Sequence, residues 1–282
     1  MTTATSDLSR QFAGLIAKGQ LDLPPMPATA TEVMDLCQQE TTDAAKLSAV
    51  VHRDQTIASN VLRVANSVAY AGQMPCTSLQ QAVSRLGMQL ISEIATAVAV
   101  RGRMFTNPRC AALLALLWRH SVLAGFFAKE VARLRRRNVD VAFLCGLLHD
   151  VGKAVLLDNV DRTAAGRGAG LDEGELMAAL HEQHTAAGVV LAASWKLPEQ
   201  IAEAMRCHHE PTASERFQEL AETVAFADAL AHLTAASAFA VPPSEAELRA
   251  HPALRVLNLY PDQVDALLAM RPRALQVAEG MR

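Results

Sequence analysis

From Ala28 to Leu268 apolar residues recur at the i, i+3, i+4 spacing of amphipathic helices, in stretches rich in strong helix formers and poor in β-branched alternation. The pattern predicts an all-α protein, a multi-helix bundle. Breakers divide it. The segment LDLPPMP, 21–27, closes a short leader, and its prolines hand over to a helix running through Val33, Met34 and Cys37. Asp43 reads as the N-cap of a helix over 44–52, and Gln55-Thr56 opens the run IASNVLRVANS, in which Ile57, Val61, Leu62 and Ala65 share a face. GQMPCTS reads as a loop and SLQQAVSRLG as a helix stopped by Gly87; a further helix follows with Leu90, Ile91, Ile94, Ala95 and Val98 buried. Thr106-Asn107-Pro108 offers turn chemistry between two long periodic segments, and beyond it helices are expected over 111–134, 139–157, 172–195, 198–208 and 216–238. The Gly-rich connector 163–174 reads as the most mobile stretch of the chain, either a lid or a free loop. After Pro242-Pro243 one further helix carries Val264, Leu267 and Leu268 on one side. The expected organisation is a leader (1–20), an N-terminal helical subdomain (21–106), a helical bundle (107–241) and a C-terminal helical tail (242–282).

Composition narrows the class. Of 282 residues 51% are hydrophobic and only 4% aromatic, so abundant alanine must supply close helix contacts. The 26 Lys+Arg against 29 Asp+Glu give a formal charge of −3, which excludes a disordered chain and argues against DNA as a partner. Five scattered cysteines form no C-x-x-C pair and read as reduced cytosolic thiols. The opening MTTATSDLSRQF lacks the charged and apolar regions of a signal peptide. The apolar runs 90–100 and 111–118 are interrupted by Glu93 or stopped by Arg119, short of a membrane span. A cytoplasmic protein with no membrane partner is expected.

Against this apolar background a few polar groups intrude. His149-Asp150 ends the run FLCGLLHDVGK, where burying an imidazole and a carboxylate is costly without partners; a metal ion is one partner that satisfies both. Alternatively His149 bonds a backbone carbonyl and Asp150 caps the next turn. His120 follows WR within an amphipathic helix, His184 lies in LHEQHTAAG, the doublet His208-His209 follows an apolar helix, and Asp228 sits in TVAFADALAH. Bundles build metal centres from such inward-facing ligands on different helices, and imidazole with carboxylate suits zinc, iron or manganese rather than calcium. His181 faces Thr185 one turn on and is a poor ligand candidate, while His52, His232 and His251 read as surface or packed histidines. Asn66-Ser67 reads as a cap, and Trp118 and Trp195 as core or interface anchors.

The order His…His-Asp…Asp resembles the HD phosphohydrolase superfamily, matched here by His120, His149, Asp150 and Asp228. Its binuclear HD-GYP branch adds histidines to which His184, His208 and His209 correspond, and a lysine matched by Lys153. The resemblance implies metal ligation by His120, His149, Asp150, His184, His208, His209 and Asp228. If the chain is an enzyme, it implies catalytic roles for Asp150, spanning two ions, and Lys153, steadying a phosphate. Two HD-GYP signatures are absent: HHE is followed by PTASERF, and Leu116 replaces the acidic ligand one turn before the first histidine. A closer resemblance covers about 21–268. The phrases LPPMPATATEVMDL, VLRVANSVAYAG, LQQAVSRLGMQLI, WRHSVLAG, AFLCGLLHDVGKAVLL, HTAAGVVLAASWKLP and IAEAMRCHHEP are similar to the HDOD family, the HD-related output domain of bacterial signalling proteins, with Asp54-Gln55 in place of the usual Asp-Pro. That resemblance implies an HD-domain-like bundle with an N-terminal helical subdomain, acting as a regulatory module on signalling proteins in trans. One or two divalent ions (Fe, Mn or Zn) are the implied cofactor. The alternatives that stay open are an HD-type metal-dependent phosphohydrolase acting on a nucleotide or cyclic dinucleotide, and a metal-free scaffold whose histidines only hydrogen-bond.

Overall fold

A computed structural model describes residues 6–38, 44–105, 107–163, 172–235 and 237–281. Asp43 and most of the connector 163–174 lie outside these residues. The described chain is helical, with no strand among the described residues. In the first part α1 (Asp7–Ala17), α2 (Ala28–Gln38), α3 (Ala44–His52), α4 (Gln55–Ala65) and α5 (Leu79–Met104) follow one another. Local capping fixes their starts: Ser6, Asp54 and Ser78 each accept from backbone N–H groups of the first turn, satisfying donors the helix leaves free. Gly87 breaks α5 where its sequence position predicts a stop, with φ 79° and ψ 159°, yet the helix resumes directly beyond it. Asn66 behaves as a staple as well as a cap: its amide donates to the carbonyls of Leu62 and Cys76 and its oxygen accepts from Cys76 N–H, folding the 66–78 loop back on α4.

The second part holds α6 (Ala111–Leu134), α7 (Val139–Leu148), α8 (Val151–Asp158), α9 (Glu173–Ser194), α10 (Glu199–Cys207) and α11 (Gln218–Thr234). The central helix is α6, which packs chiefly on α7 and α11, while α8 lies against α9. Periodicity alone predicts one helix over 139–157; the chain instead turns at His149-Asp150. The apolar run continues on both sides of this turn, so no hydrophobic break betrays it. The last helix of this part ends at Thr234, short of the expected 238.

Beyond it the tail forms α12 (Glu245–Arg249), α13 (Ala253–Val256), α14 (Pro261–Ala269) and α15 (Arg271–Gly280), where the pattern predicts one helix. This tail is packed: α15 lies on both α6 and α4, and Trp118 Nε1 donates to the Met281 carbonyl at 3.0 Å. Trp195 likewise ties α9 to the proline segment through the Pro24 carbonyl, 2.8 Å away. Both tryptophans are therefore interface anchors. The first helix docks on α9, where Leu8 N–H donates to Glu175 and Ser9 Oγ to Glu182.

Two helical stretches, Leu79–Met104 and Pro108–Leu134, are by length and composition long enough to cross a membrane, contrary to the expectation that Glu93 and Arg119 cut the runs short. Helix simply propagates through both residues. Half of the first apolar window and two thirds of the second are buried within the protein, as in core helices of a bundle.

Two glycines let the helices approach closely. A Cβ on Gly146 would stand 2.6 Å from the Ala124 carbonyl oxygen on α6, and one on Gly152 only 1.9 Å from the His184 carbonyl oxygen on α9. The contact at Gly152 is backbone against backbone, which no rotamer change can relieve. Gly152→Ala should therefore destabilise the fold by about 3 kcal/mol or more, seen as a lower urea midpoint at unchanged slope. A midpoint equal to wild type would show that α8 and α9 separate freely.

Candidate metal centre

Five helical segments deliver the polar groups. His120 comes from the middle of α6, His149 and Asp150 from the turn between α7 and α8, His184 from α9, His208 and His209 from the end of α10, and Asp228 from α11. All seven ligand candidates gather in one place. His120, His149, Asp150, His184 and His208 are buried; Asp228 is partly buried and His209 exposed.

The cluster has two lobes joined by Asp150. On one side His120 Nε2 lies 2.9 Å from Asp228 Oδ1 and 3.4 Å from His149 Nε2, with Asp150 Oδ2 3.5 Å from His149 Nε2 and 3.7 Å from His120 Nε2. On the other, Asp150 Oδ1 is 3.4 Å from His184 Nε2 and 3.7 Å from His208 Nε2, and His184 Nε2 is 3.2 Å from His208 Nε2 and 3.1 Å from His209 Nε2. Within His120/His149/Asp150 and His184/His208/His209, one ligand atom from each residue lies within 4.8 Å of the others. Lys153 Nζ, one turn into α8, is 2.5 Å from Asp150 Oδ2 and stands over the Phe239 ring at 5.3 Å.

Backbone carbonyls fix the direction of the rings. His149 Nδ1 donates to Gly146 O at 2.7 Å, His184 Nδ1 to Leu180 O and His181 O at 3.0 and 2.9 Å, and His208 Nδ1 to Met205 O at 2.9 Å. A carbonyl only accepts, so each Nδ1 carries the hydrogen and each neutral ring turns an Nε2 lone pair inward. Half of the plain hydrogen-bonding alternative thus holds for His149, yet Asp150 makes no side-chain cap on α8.

Electrostatics favour the neutral ring at His120, His184 and His208 and the charged ring at His149. Burial pushes the His184 imidazole down to about 4 and His208 well below its ordinary value. Burial also lowers His120, against the pull of Asp228. In His149 burial acts the same way but is outweighed by Asp150, Asp228 and the Gly146 carbonyl, which raise it. Burial alone would raise both carboxyl groups; Lys153 and the imidazoles instead hold Asp150 well below the carboxylate range, and the rings around Asp228 do the same for it. Two anionic carboxylates are thus ringed by imidazoles.

A divalent cation fits this donor set. Asp150 Oδ1 is buried with no hydrogen-bond donor on it, and three imidazole nitrogens crowd Asp228 Oδ1. A buried carboxylate oxygen in that state is costly, and the Nε2 pair of His184 and His208 presents acceptor to acceptor. A transition ion bound to each of these oxygens and its neighbouring Nε2 atoms removes both penalties, with the Nδ1–carbonyl bonds as outer support. Spacing does not signal one member: His232, read from sequence as a surface or packed histidine, is buried with Nε2 3.2 Å from Asp228 Oδ1. Its position one turn after Asp228 is the signal that could have found it. His181 stays outside, exposed, with its ring centroid 5.4 Å from that of His209.

Comparison with known proteins agrees with this architecture. The chain is similar to an uncharacterized protein of Treponema pallidum, 25% identical over 237 residues, which cover 80% of this chain and 44% of that one. It spans under half the length of the curated relatives it matches. Among solved structures it resembles a Shewanella amazonensis protein provisionally named a metal-dependent phosphohydrolase, at 18% identity and TM-score 0.74 over 98% of this chain and 100% of the other. It also resembles an HDOD domain protein of unknown function from Geobacter sulfurreducens, at 22% identity and TM-score 0.73 over 97% and 96%. At such identities the likeness is one of fold. The family model for the HDOD domain matches residues 23–211, two thirds of the chain, and the protein belongs to the HDOD family.

Proposed function

We propose that this protein is a regulatory output module of bacterial signalling, working in the cytoplasm by contact with signalling proteins in trans, and that its His/Asp cluster holds one or two Fe, Mn or Zn ions as a structural centre. One ion would be held by His120, His149, Asp150 and Asp228, the other by Asp150, His184, His208 and His209. The observation that carries the reading is the state of Lys153. This residue, the phosphate clamp of any hydrolytic reading, is 4% exposed, bonded to Asp150 and covered by Phe239. A lysine so placed neutralises a ligand carboxylate instead of reaching toward substrate. Ions bound at this depth would link α6, the α7–α8 turn, α9, α10 and α11, and metal affinity would add to folding stability.

A metal-dependent phosphohydrolase acting on a nucleotide or cyclic dinucleotide is the second reading, favoured by one feature: the His209 side is exposed and Asp228 is 17% exposed, so the cluster meets solvent there. A bound ion would supply Lewis acidity toward a phosphoryl oxygen. In that reading the protein's part would be to hold Asp150 anionic between the lobes and to release Lys153 toward the phosphate.

Elemental analysis of protein purified without a His-tag, with a turnover panel of nucleotides and cyclic dinucleotides in Mn²⁺ or Fe²⁺, separates the two. The module predicts bound metal that falls in Asp150→Ala and His149→Ala, and no turnover; hydrolysis lost in both variants would overturn it in favour of the enzyme. The pH dependence follows from the ring environments. Burial places the folded-state value of His184 near 4, below the ordinary 6.5, so protons compete with an ion there only as pH falls through that window. The ion on the His184 side should be retained on dialysis at pH 6 and released toward pH 4. Release already complete at pH 6 would contradict the buried-ligand assignment.

A further inference from the structure

His232 has no assigned role in the pattern His…His-Asp…Asp, yet its surroundings are those of the ligands. It follows Asp228 by four residues on α11, so both face the same way. The side chain is 8% exposed. Its ring lies over that of His120, with centroids 4.3 Å apart and planes 27° from parallel. Asp228 Oδ1 stands 3.2 Å from His232 Nε2, 2.9 Å from His120 Nε2 and 3.5 Å from His149 Nε2. Three imidazole nitrogens crowd this one carboxylate oxygen, more than it can pair with in good geometry. One ligand atom each from His120, Asp228 and His232 lies within 4.8 Å of the others.

One feature separates His232 from three of the other inward rings. His149, His184 and His208 each anchor Nδ1 on a carbonyl, whereas His232 Nδ1 is buried with no partner. No carbonyl acceptor sets the direction of this ring; stacking on His120 and the group its Nε2 faces do so.

We propose that His232 is a fifth protein donor to the ion held by His120, His149, Asp150 and Asp228, and that it excludes water from that ion. This rests on the metal-centre reading above. With His120, His149 and His232 offering nitrogen and Asp150 and Asp228 oxygen, the first lobe approaches the closed sphere of a structural site. The second lobe, ending in the exposed His209, keeps the wetter face. The two ions would then differ in hydration within one cluster.

Manganese provides the test, because its effect on water-proton relaxation counts inner-sphere water and its affinity is measured by chelator competition. Wild type, His232→Phe and His232→Gln are loaded with Mn²⁺, and circular dichroism of the metal-free proteins checks that each is folded. Phenylalanine keeps the stacking and removes the donor. We expect it to weaken the affinity of one ion about tenfold or more and to raise relaxivity as water enters the vacated position. Glutamine retains a polar group beside Asp228 and should stay close to the phenylalanine variant. Wild-type affinity and relaxivity in both variants, or full recovery in His232→Gln alone, would overturn the proposal by showing an outer role through Asp228. If wild type binds no manganese, the metal centre itself fails, which is distinguishable from variants that bind as wild type does.

Discussion

Asp150 and Asp228 carry negative charge into an apolar bundle, and the requirement to offset it organises everything around them. A carboxylate removed from water is tolerable only with positive or hydrogen-bonding partners in contact. Lys153 meets one oxygen of Asp150, while its other oxygen, and Oδ1 of Asp228, meet only imidazole nitrogens. On His149, His184 and His208 those nitrogens are turned inward by carbonyls on their own helices. The carboxylates and inward rings together make a cluster whose negative charge a cation would balance.

Getting these groups together demands close helix approach. With few aromatic residues the chain fills its core with alanine and short aliphatics, and Gly146 and Gly152 remove the last side-chain atoms at two helix crossings. At Gly152 the helix following the HD turn rests on the carbonyl of His184 itself. The positions of Asp150 and His184 are thus coupled through main chain, a stiffer link than any side-chain contact. The terminal helix adds a brace from outside, with Trp118 and Arg101 both donating to the Met281 carbonyl.

Much of this was legible from residue order. The helical class, the break at Gly87, the cap at Asn66 and the anchors Trp118 and Trp195 follow from periodicity and local chemistry. The seven ligand candidates stood out as polar residues on apolar faces. The turn at His149-Asp150 was hidden because Leu147, Leu148, Val151 and Ala154 are all buried, so hydrophobicity runs unbroken through a change of direction. The tail was hidden for the opposite reason: its short helices are set by capping, as at Ser244, and by packing on α6, and are too brief to show a period. His232 escaped because ALAHL looks like a continuing amphipathic stripe; only the one-turn relation to Asp228 distinguishes it, and that relation acquires meaning once α6 and α11 are known to face each other.

The carbonyl anchors of the inward rings have a mechanical side. Leu180 and His181, which hold the His184 ring, belong to the same helix that receives Ser9 and Leu8 of α1 on its outer surface. Ring and helix are tied together: on the proposed reading, a protein that levered α1 or twisted α9 would re-aim the ring in the interior, and an ion in the centre would resist that torque by the same free energy. Such reciprocity would let a buried ion act as the spring against which a docking partner works.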